Sequence, residues 1–272
     1  MEKSSCNEFE FRAVRPVSPV AGYVGGKRQL SKILCARISE IPHSIYAEPF
    51  VGMGGVFFRR DIAAKVEVIN DLSRDITTFF RILQRHYQAF MDMLKWQISS
   101  RSEFERLSKE NPDTLTDLER AARFLYLQKL SFGGKVAGRT FGTSTTNPAR
   151  FDITKLATLL EAAHERLAGV TIECLSYDVL ITRWDRPGTL FYLDPPYFGS
   201  EHYYGKELFS REDFQTLSHI LQNIKGRFIL SLNDTPEIRD LFSWADIKTV
   251  ELSYSVGGAQ NTKRVQELII SK

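Results

Sequence analysis

An apolar run closed by an acid and two prolines restricts the fold of this chain more than any other stretch: Phe191-Tyr192-Leu193-Asp194-Pro195-Pro196-Tyr197. Consecutive prolines can neither continue a strand ladder nor enter the interior of a helix, so the run predicts a buried strand that stops at Asp194. In open α/β sheets, ligands bind at the carboxyl ends of such strands. The sequence therefore predicts that Asp194 lies at a ligand-binding edge.

The same stretch has a chemical implication. The prolines hold the Asp194 carboxylate and the neighbouring carbonyl groups in fixed directions, with the Tyr197 ring just beyond them. An ionised Asp and a carbonyl oxygen only accept hydrogen bonds, so together they suit a planar molecule that carries an NH2 group. A strand-end turn with a solvated acid and a packing tyrosine is the alternative interpretation.

A glycine-rich turn predicts a second ligand-binding feature. Residues 44–48 are typical of a strand, Pro49 to Gly55 form the turn, and 56–64 have helical spacing, an order that occurs in nucleotide-binding sites. The next predicted strand leads to Asp71, 19 residues after Gly52, where a carboxylate can accept hydrogen bonds from both ribose hydroxyls. A complete Gly-x-Gly-x-x-Gly is missing, which argues against a pyrophosphate. The pattern favours an adenosine cofactor without phosphates, of which S-adenosylmethionine is the common one.

Two further positions extend this predicted edge. Gly25, Gly26 and Lys27 precede a predicted helix, and bare amides at a helix start attract a carboxylate or phosphate, although a plain helix start is the simpler interpretation. Asp178 follows a predicted strand over 170–175 and is placed to accept a hydrogen bond from an adenine amino group.

The middle of the chain has the composition of a nucleic-acid-binding element. Helical spacing predicts helices near 75–98, 101–110 and 114–130, and a loop with four glycines follows at 131–144. From Arg120 to Phe151 there are six basic residues and no acid, although the whole chain carries a net charge of only +3. Such a local excess is typical of a phosphate-contacting surface, with a solvated basic face as the alternative. A polar basic turn at 257–264 is predicted on the same side.

Composition excludes several classes of protein. No apolar run reaches the length of a membrane span, and the polar N-terminus is not a signal peptide, so we expect a cytoplasmic protein. Its three cysteines have no partner at metal-ligand spacing, so no metal site is predicted. Residues 1–18 are predicted to be a flexible leader, and the protein is expected to be a monomer in solution.

Taken in chain order, these motifs resemble those of the Dam-type, or D12 class, DNA adenine-N6 methyltransferases. The resemblance extends from about Tyr23 to Lys272. Its motifs are Tyr23-Val24-Gly25-Gly26-Lys27, Glu48-Pro49-Phe50-Val51-Gly52, Asn70-Asp71, Asp194-Pro195-Pro196-Tyr197, Ser231-Leu232-Asn233-Asp234-Thr235 and Lys263-Arg264-Val265-Gln266-Glu267-Leu268-Ile269.

The resemblance implies an α/β fold with a Rossmann-like, S-adenosylmethionine-dependent methyltransferase sheet and an inserted, mostly helical target-recognition domain. Residues 19–75 and 151–272 would form the catalytic domain, and 76–150 the domain that binds DNA. The implied catalytic residues are Asp194, Pro195, Pro196 and Tyr197. The implied cofactor-binding residues are Tyr23, Lys27, Phe50, Gly52, Asp71, Asp178 and Asp194. The DNA-binding candidates are Lys129, Ser131, Lys135, Arg139, Asn261, Lys263 and Arg264.

The implied reaction is methyl transfer from S-adenosylmethionine to N6 of an adenine flipped out of a short site in double-stranded DNA. Two alternatives stay open, a cytosine-N4 DNA methyltransferase and an inactive DNA-binding relative. A methyltransferase for protein glutamine or a small molecule would not need the basic glycine loop. The chain has Leu130-Ser131-Phe132-Gly133-Gly134-Lys135 in place of the family's Tyr-Asn-Gly-Leu-x-Arg type of loop. The target, GATC or another sequence, is therefore open, as are a preference for hemimethylated sites and a partner in restriction-modification.

Overall fold

The computed structural model describes residues 11–22, 29–131, 138–142, 148–199, 209–255 and 262–272, with 253–255 and 262–264 described as backbone only. The strands are β1 (Arg12–Ala13), β2 (Ile45–Glu48), β3 (Ile62–Ala63), β4 (Val66–Asn70), β5 (Thr171–Glu173), β6 (Thr189–Leu193), β7 (Arg227–Asn233), β8 (Asp246–Ser255) and β9 (Thr262–Ser271). The helices are α1 (Leu30–Glu40), α2 (Arg74–Arg85), α3 (Tyr87–Leu94), α4 (Arg101–Lys109), α5 (Asp117–Leu130), α6 (Ile153–Arg166), α7 (Tyr177–Trp184), α8 (Arg211–Asn223) and α9 (Pro236–Leu241).

Seven strands form the central sheet, in the order β5-β4-β2-β6-β7-β9-β8. The first five are parallel, whereas β9 pairs antiparallel with β7 and with β8. All five residues of β6 are buried, as expected for a parallel strand covered on both faces. The predicted α/β sheet is confirmed, and the carboxyl ends of β5, β4, β2, β6 and β7 share one side of it, hereafter the carboxyl edge.

The two faces of the sheet have separate hydrophobic cores. Residues of α1 to α6 pack on one face, where Tyr46 and Leu190 point. Residues of α7, α8 and α9 pack on the other face, where Ala47 and Phe191 point. The alternation follows from the pleat, since successive strand side chains project to opposite faces.

Helices α2 to α5 belong to the first of these cores. Their aromatic residues stack on each other, with the Phe79 ring 5.7 Å from that of Phe124 and 6.0 Å from that of Phe90. Helix α2 also contacts β5 and α6. The helical segment is therefore packed onto the face of the sheet as well as onto itself.

Two local predictions are wrong. The helix expected over 56–64 is a single 3₁₀ turn, Phe57–Arg59, followed by β3. The backbone is extended at Arg60, and the guanidinium of that residue is fully buried against Glu67. The helix expected over 75–98 is divided at His86, whose backbone is not helical.

The leader predicted over 1–18 is also wrong where the structure describes it. Strand β1 pairs with β3, the Val14 amide donates to the Asp61 carbonyl at 2.8 Å, and the Val17 amide donates to that of Phe58 at 2.7 Å. Val17 and Val20 are buried. Two apolar side chains and a set of backbone hydrogen bonds thus fix residues 11–20, while residues 1–10 lie outside the described ranges. Within those ranges, no helix is both long and apolar enough to cross a membrane.

Candidate active site

Asp71 and the glycine turn meet at the carboxyl edge. The Gly52 amide donates to Asp71 Oδ2 at 3.0 Å, and the Ser73 amide donates to Oδ1 at 2.9 Å. Burial raises the pKa of Asp71 to about 6, although these two hydrogen bonds oppose the shift. Each carboxylate oxygen keeps lone pairs after one backbone bond, so Asp71 can still accept from a ligand.

The turn after β2 requires glycine at two positions. Gly52 and Gly54 have φ of 50° and 71°, in the left-handed region that other residues rarely adopt. A Cβ on Gly54 would lie 2.3 Å from the ring of Phe58, so a side chain there would also collide with the core. The turn is further fixed by a 2.8 Å hydrogen bond from the Val51 amide to the Asn70 carbonyl.

Asn70 joins three loops of the edge. Its side-chain amide donates to the carbonyls of Pro49 at 2.8 Å and Leu175 at 3.0 Å, and it accepts from the Leu175 amide at 2.8 Å. The residue is 1% exposed. Asn70 therefore holds the segments after β2, β4 and β5 together, a positioning role that the sequence did not reveal.

Asp194 is held in place by the neighbouring strand. The hydroxyl of Ser231, in β7, donates to Asp194 Oδ1 at 3.1 Å and lies 3.0 Å from the hydroxyl of Tyr192. Ser231 is fully buried and Tyr192 nearly so, whereas the Asp194 and Tyr197 side chains are partly exposed. A chain of neutral hydroxyls thus runs from the core to the Asp194 carboxylate and fixes one of its oxygens.

The segment after Asp194 is also fixed from β7. Asn233 accepts from the Phe198 amide at 2.9 Å and donates to the Phe198 carbonyl at 3.1 Å. Pro195 and Pro196 are buried. The sequence indicated Ser231 and Asn233 only as members of a family motif. Their contacts with Asp194 and Phe198 could not be predicted, because these residues are far apart in sequence.

Glu48 is a site residue that sequence reasoning missed as a separate group. It ends β2, is 1% exposed, and accepts a 2.6 Å hydrogen bond from the Tyr46 hydroxyl. Burial raises the pKa of Glu48 to about 8; Tyr46 and Arg60 lower it, and the charge of Asp194 raises it further. At neutral pH Glu48 is mostly uncharged. Its buried carboxyl group therefore has a different environment from the partly exposed carboxylate of Asp194. An acid as the last residue of a buried strand was the available signal.

A buried ion-pair cluster lies behind Glu48. Glu67 accepts from Arg60 at 2.7 Å and from both terminal nitrogens of Arg166 at 2.6 and 2.9 Å. The Arg60 guanidinium also stacks 3.6 Å above the centre of the Tyr46 ring. All of these side chains are buried. The cluster links β4, α6 and the strand that carries Glu48.

Aromatic rings line the edge between β2 and α7. Phe50, which is half-buried, lies 5.5 Å from the ring of Tyr177 and 5.7 Å from that of Phe209. Asp178 is the second residue of α7 and is not the end of a strand, because β5 stops at Glu173. It lies just past the carboxyl end of β5, in the helix that follows, and it adjoins Tyr177 and this apolar wall.

The DNA-binding candidates in the described part of the middle segment lie near one another. Burial, aided by Arg150, lowers the pKa of Lys129. The Ser131 hydroxyl is buried and donates to the Leu127 carbonyl at 2.7 Å, so this side chain is used within the helix end. Arg139 donates to Gln128 at 3.3 Å, and its guanidinium lies 5.9 Å from the centre of the Phe124 ring.

Two arginines of the acid-free window have structural partners. Arg120 donates to Asp75 at 2.6 Å and to Asp113 at 2.8 Å, and Arg123 donates to the Leu107 carbonyl at 2.8 Å. Both arginines are 7% exposed. Asp75 and Asp113 thus neutralise Arg120, one of the six basic residues that the sequence predicted to lie on a phosphate-contacting surface.

Four candidates lie outside the described residues: Tyr23, Lys27, Lys135 and Asn261. Lys263 and Arg264 are described as backbone, in register with Tyr254 and Ser253 of β8.

Solved structures similar to this chain match it weakly. The PH1948 protein of Pyrococcus horikoshii has a TM-score of 0.39 and 11% identity, over 91% of this chain and 82% of its own. Precorrin 8w decarboxylase of Methanobacterium thermoautotrophicum has a TM-score of 0.38 and 9% identity, over 89% and 88%. Scores of this size support no inference about function.

Sequence relatives match over most of their length. "Type II methyltransferase M1.LlaDCHI" of Lactococcus lactis subsp. cremoris is 25% identical, over 93% of this chain and 94% of that protein. "Type II methyltransferase M.CviBI" of Paramecium bursaria Chlorella virus NC1A is 24% identical, over 83% and 86%. "Retron Ec67 DNA adenine methylase" of Escherichia coli is also 24% identical, over 93% and 90%.

The family model of the D12 class N6 adenine-specific DNA methyltransferases matches residues 23–256. This range includes the glycine turn, Asp71, Asp194 and Ser231. The resemblance drawn from the motifs is thereby confirmed, and the chain belongs to the D12 class of N6 adenine-specific DNA methyltransferases.

Proposed function

We propose that this adenine methyltransferase takes its methyl group from S-adenosylmethionine and delivers it to N6 of an adenine flipped out of duplex DNA, with Asp194 at the reacting nitrogen. The observation that carries this proposal is the fixed Asp194 carboxylate, held by Ser231 at 3.1 Å beside two buried prolines. The same sheet edge holds Asp71, next to the glycine turn.

The chemistry of the edge fits S-adenosylmethionine. Asp71 offers carboxylate lone pairs to the two ribose hydroxyls, and the rings of Phe50 and Tyr177 offer an apolar wall to the adenine. Asp178 adjoins that wall and accepts from the adenine amino group, while Tyr23, Lys27 and Gly52 complete the proposed cofactor-binding set. When bound, the cofactor supplies an electrophilic methyl group on its sulfonium.

Asp194 and the Pro195 carbonyl activate the nucleophile in this proposal. The lone pair of an exocyclic adenine nitrogen is delocalised into the ring, which makes the nitrogen a weak nucleophile. Two acceptors that each accept a hydrogen bond from one N6 hydrogen favour a tetrahedral nitrogen and direct its lone pair toward the methyl group. The acceleration comes from orientation and from acceptors that need no rearrangement during the reaction.

Glu48 gives Asp194 a defined electrostatic setting. Its pKa of about 8 keeps Glu48 mostly protonated at neutral pH, so it adds little negative charge beside Asp194. Neighbouring acids with different environments can take different roles in one site. We assign Asp194 the acceptor role and Glu48 the role of a neutral, buried neighbour.

The target base must leave the duplex to reach this edge, at a cost of a few kcal/mol for unpairing. Tyr197, partly exposed next to Pro196, stacks on the flipped base. Residues 76–150 act as the target-recognition segment, inserted between the catalytic parts 19–75 and 151–272. Lys129 and Arg139 contact DNA from this segment, together with Lys135, Asn261, Lys263 and Arg264.

Expression in a host without DNA methylation tests the proposal. Direct reading of modified bases in the host DNA should give N6-methyladenine in one short sequence context. The Asp194→Ala variant should give none at the same expression level. Modified cytosine would instead identify a cytosine-N4 enzyme, and unmodified DNA from the wild type, with no binding of S-adenosylmethionine, would identify an inactive relative.

A further inference from the structure

We propose that Trp96, Ile98 and Arg101 contact the sugar-phosphate backbone of duplex DNA beside the methylated site. This inference rests on the proposed function and adds a surface outside the glycine-rich loop at 131–144. The three residues lie on one short segment, 96–101, between α3 and the first residue of α4.

The segment exposes large apolar side chains. Trp96 is 79% exposed and Ile98 is 72% exposed, more than any other large hydrophobic residue in the described ranges. Single exposed apolar residues are common, but neighbouring ones of this size mark an interaction site.

Hydrogen bonds hold the segment in this exposed position. The Tyr126 hydroxyl donates to the Ile98 carbonyl at 2.8 Å and accepts from the Ser100 amide at 3.1 Å. The Ser99 hydroxyl donates to the Phe151 carbonyl at 3.1 Å. Because the Ile98 carbonyl and the two residues that follow it are fixed by these hydrogen bonds, the segment is presented in a set conformation.

The segment borders the glycine-rich basic loop. The Arg101 guanidinium lies 5.0 Å from the centre of the Phe141 ring, and the Phe104 ring lies 5.4 Å from the same centre. Phe141 in turn pairs with Ser131, so both described flanks of the loop meet here. The segment is therefore continuous with the surface proposed to face DNA.

Charge on this surface favours an anionic occupant. Arg101 and Arg150 are exposed, and in the described part of the chain no carboxylate forms an ion pair with either. Three acids near the segment are paired with lysine or arginine: Asp92 with Lys95, Glu103 with Arg106 and Asp152 with Lys155. Glu105, four residues after Arg101 on α4, is exposed and forms no ion pair among the described residues. Arginine reaches a phosphate while flat or branched apolar groups pack on the adjoining sugars, so duplex DNA is the occupant with matching chemistry.

Two duplexes with the same target site test the inference. One duplex has about one helical turn of extra DNA on each side, and the other is trimmed close to the site. The Kd of each is measured by fluorescence anisotropy over a salt series, and kcat and KM are measured by methyl incorporation. The variants are the pair Trp96→Ala/Ile98→Ala and the single change Arg101→Gln, with Lys109→Gln as the control. Lys109 is an exposed cation at the other end of the same helix.

On the long duplex, the double variant should raise Kd and KM for DNA about fivefold or more, with kcat unchanged. Arg101→Gln should lower the slope of log Kd against log salt by about 1, because one phosphate contact is lost. Lys109→Gln should match the wild type on both duplexes. On the trimmed duplex all variants should match the wild type, since the flanking contact is absent there.

Equal losses on both duplexes, or no loss on either, would overturn the inference. The inference would also be wrong if the double variant bound DNA normally but failed to form a dimer that the wild type forms in sedimentation. The surface would then bind a second copy of the chain. Failure of the proposed function is a separate outcome, because the wild type itself would then form no N6-methyladenine.

Discussion

Acidic side chains at the carboxyl edge of the sheet differ from the buried Arg120 of the helical segment in the kind of partner that the structure describes for them. At the edge the described partners include neutral donors: two backbone amides for Asp71, the Ser231 hydroxyl for Asp194, and the Tyr46 hydroxyl for the mostly uncharged Glu48. In the helices Arg120 is held by two aspartates. A neutral donor orients a carboxylate without cancelling its charge, whereas an ion pair cancels it.

The difference separates charges that can act on a ligand from charges that hold the fold. A carboxylate in a fixed direction with its charge intact is ready to accept from a substrate or cofactor. The neutralised Arg120 of α5 stabilises packing between α5, α2 and the 112–114 turn. Substitutions should therefore reduce catalysis or cofactor binding at the edge and reduce stability in the helices.

Asp194→Ala gives the sharpest test of this division. It should lower kcat by about a thousandfold or more, because it removes the fixed acceptor at the reacting nitrogen. Methyl incorporation from labelled S-adenosylmethionine into DNA measures the change. Asp240→Asn, an exposed carboxylate in α9, is the matched control and should keep wild-type turnover. Near-normal turnover by Asp194→Ala would contradict the assigned role.

Asp71→Asn should weaken binding of S-adenosylmethionine on the order of tenfold or more, through loss of a charged acceptor. The folded-state pKa of about 6 lies above the usual 3.8, so the carboxylate becomes protonated as pH falls through 6. Cofactor affinity of the wild type should fall over the same interval, as measured by isothermal titration calorimetry.

The raised pKa of Asp71 should have the opposite effect on folding stability: stability falls as pH rises, whereas cofactor affinity increases. A raised carboxyl pKa favours the folded state at low pH, and this contribution is lost as pH rises from 3.8 through about 6. In Asp71→Asn both pH dependences should be flatter. An unchanged pH profile of cofactor affinity in the variant would assign the titration to another group.

Ser231→Ala should have a smaller effect, a decrease in kcat of about tenfold, because Asp194 remains but loses the donor that orients it. Affinity for S-adenosylmethionine and the unfolding midpoint serve as controls and should change little. Tyr192→Phe removes only the more distant hydroxyl, 3.0 Å from Ser231, and should reduce kcat less. A larger decrease for Tyr192→Phe than for Ser231→Ala would contradict the order of this chain of hydroxyls.

Arg120→Met should show the reverse behaviour, with a loss of roughly 1 to 3 kcal/mol in unfolding free energy and little change in kcat. The loss arises because Asp75 loses its cation and Asp113 keeps only Arg74, at 3.5 Å. Chemical denaturation measures it, and Arg81→Met serves as a control, since Arg81 forms an exposed ion pair with Asp117. A selective loss of DNA binding with normal stability would place Arg120 on the recognition surface after all.

Local sequence patterns were sufficient for most of the sheet and for the family. Strand β6 had to end before Pro195 and Pro196, and it ends at Leu193; the turn after β2 needed glycine because the backbone there is left-handed. These are short-range constraints of backbone geometry, so they can be recognised without a fold. The helix predicted at 56–64 is absent; the chain is extended at Arg60, whose guanidinium is buried in an ion pair with Glu67, a residue outside that stretch.

Contacts between distant parts of the chain were decided only by the tertiary structure. Ser231 donates a hydrogen bond to Asp194 because β6 and β7 pair in a particular register. The charge of Asp194 raises the pKa of Glu48 because β2 and β6 are neighbours. Likewise, the acid-free window from Arg120 to Phe151 is partly neutralised by Asp75 and Asp113, which fold back onto α5. A sequence shows which charges a chain has, but whether each charge is paired, buried or free to bind depends on which residues the fold brings within hydrogen-bonding distance.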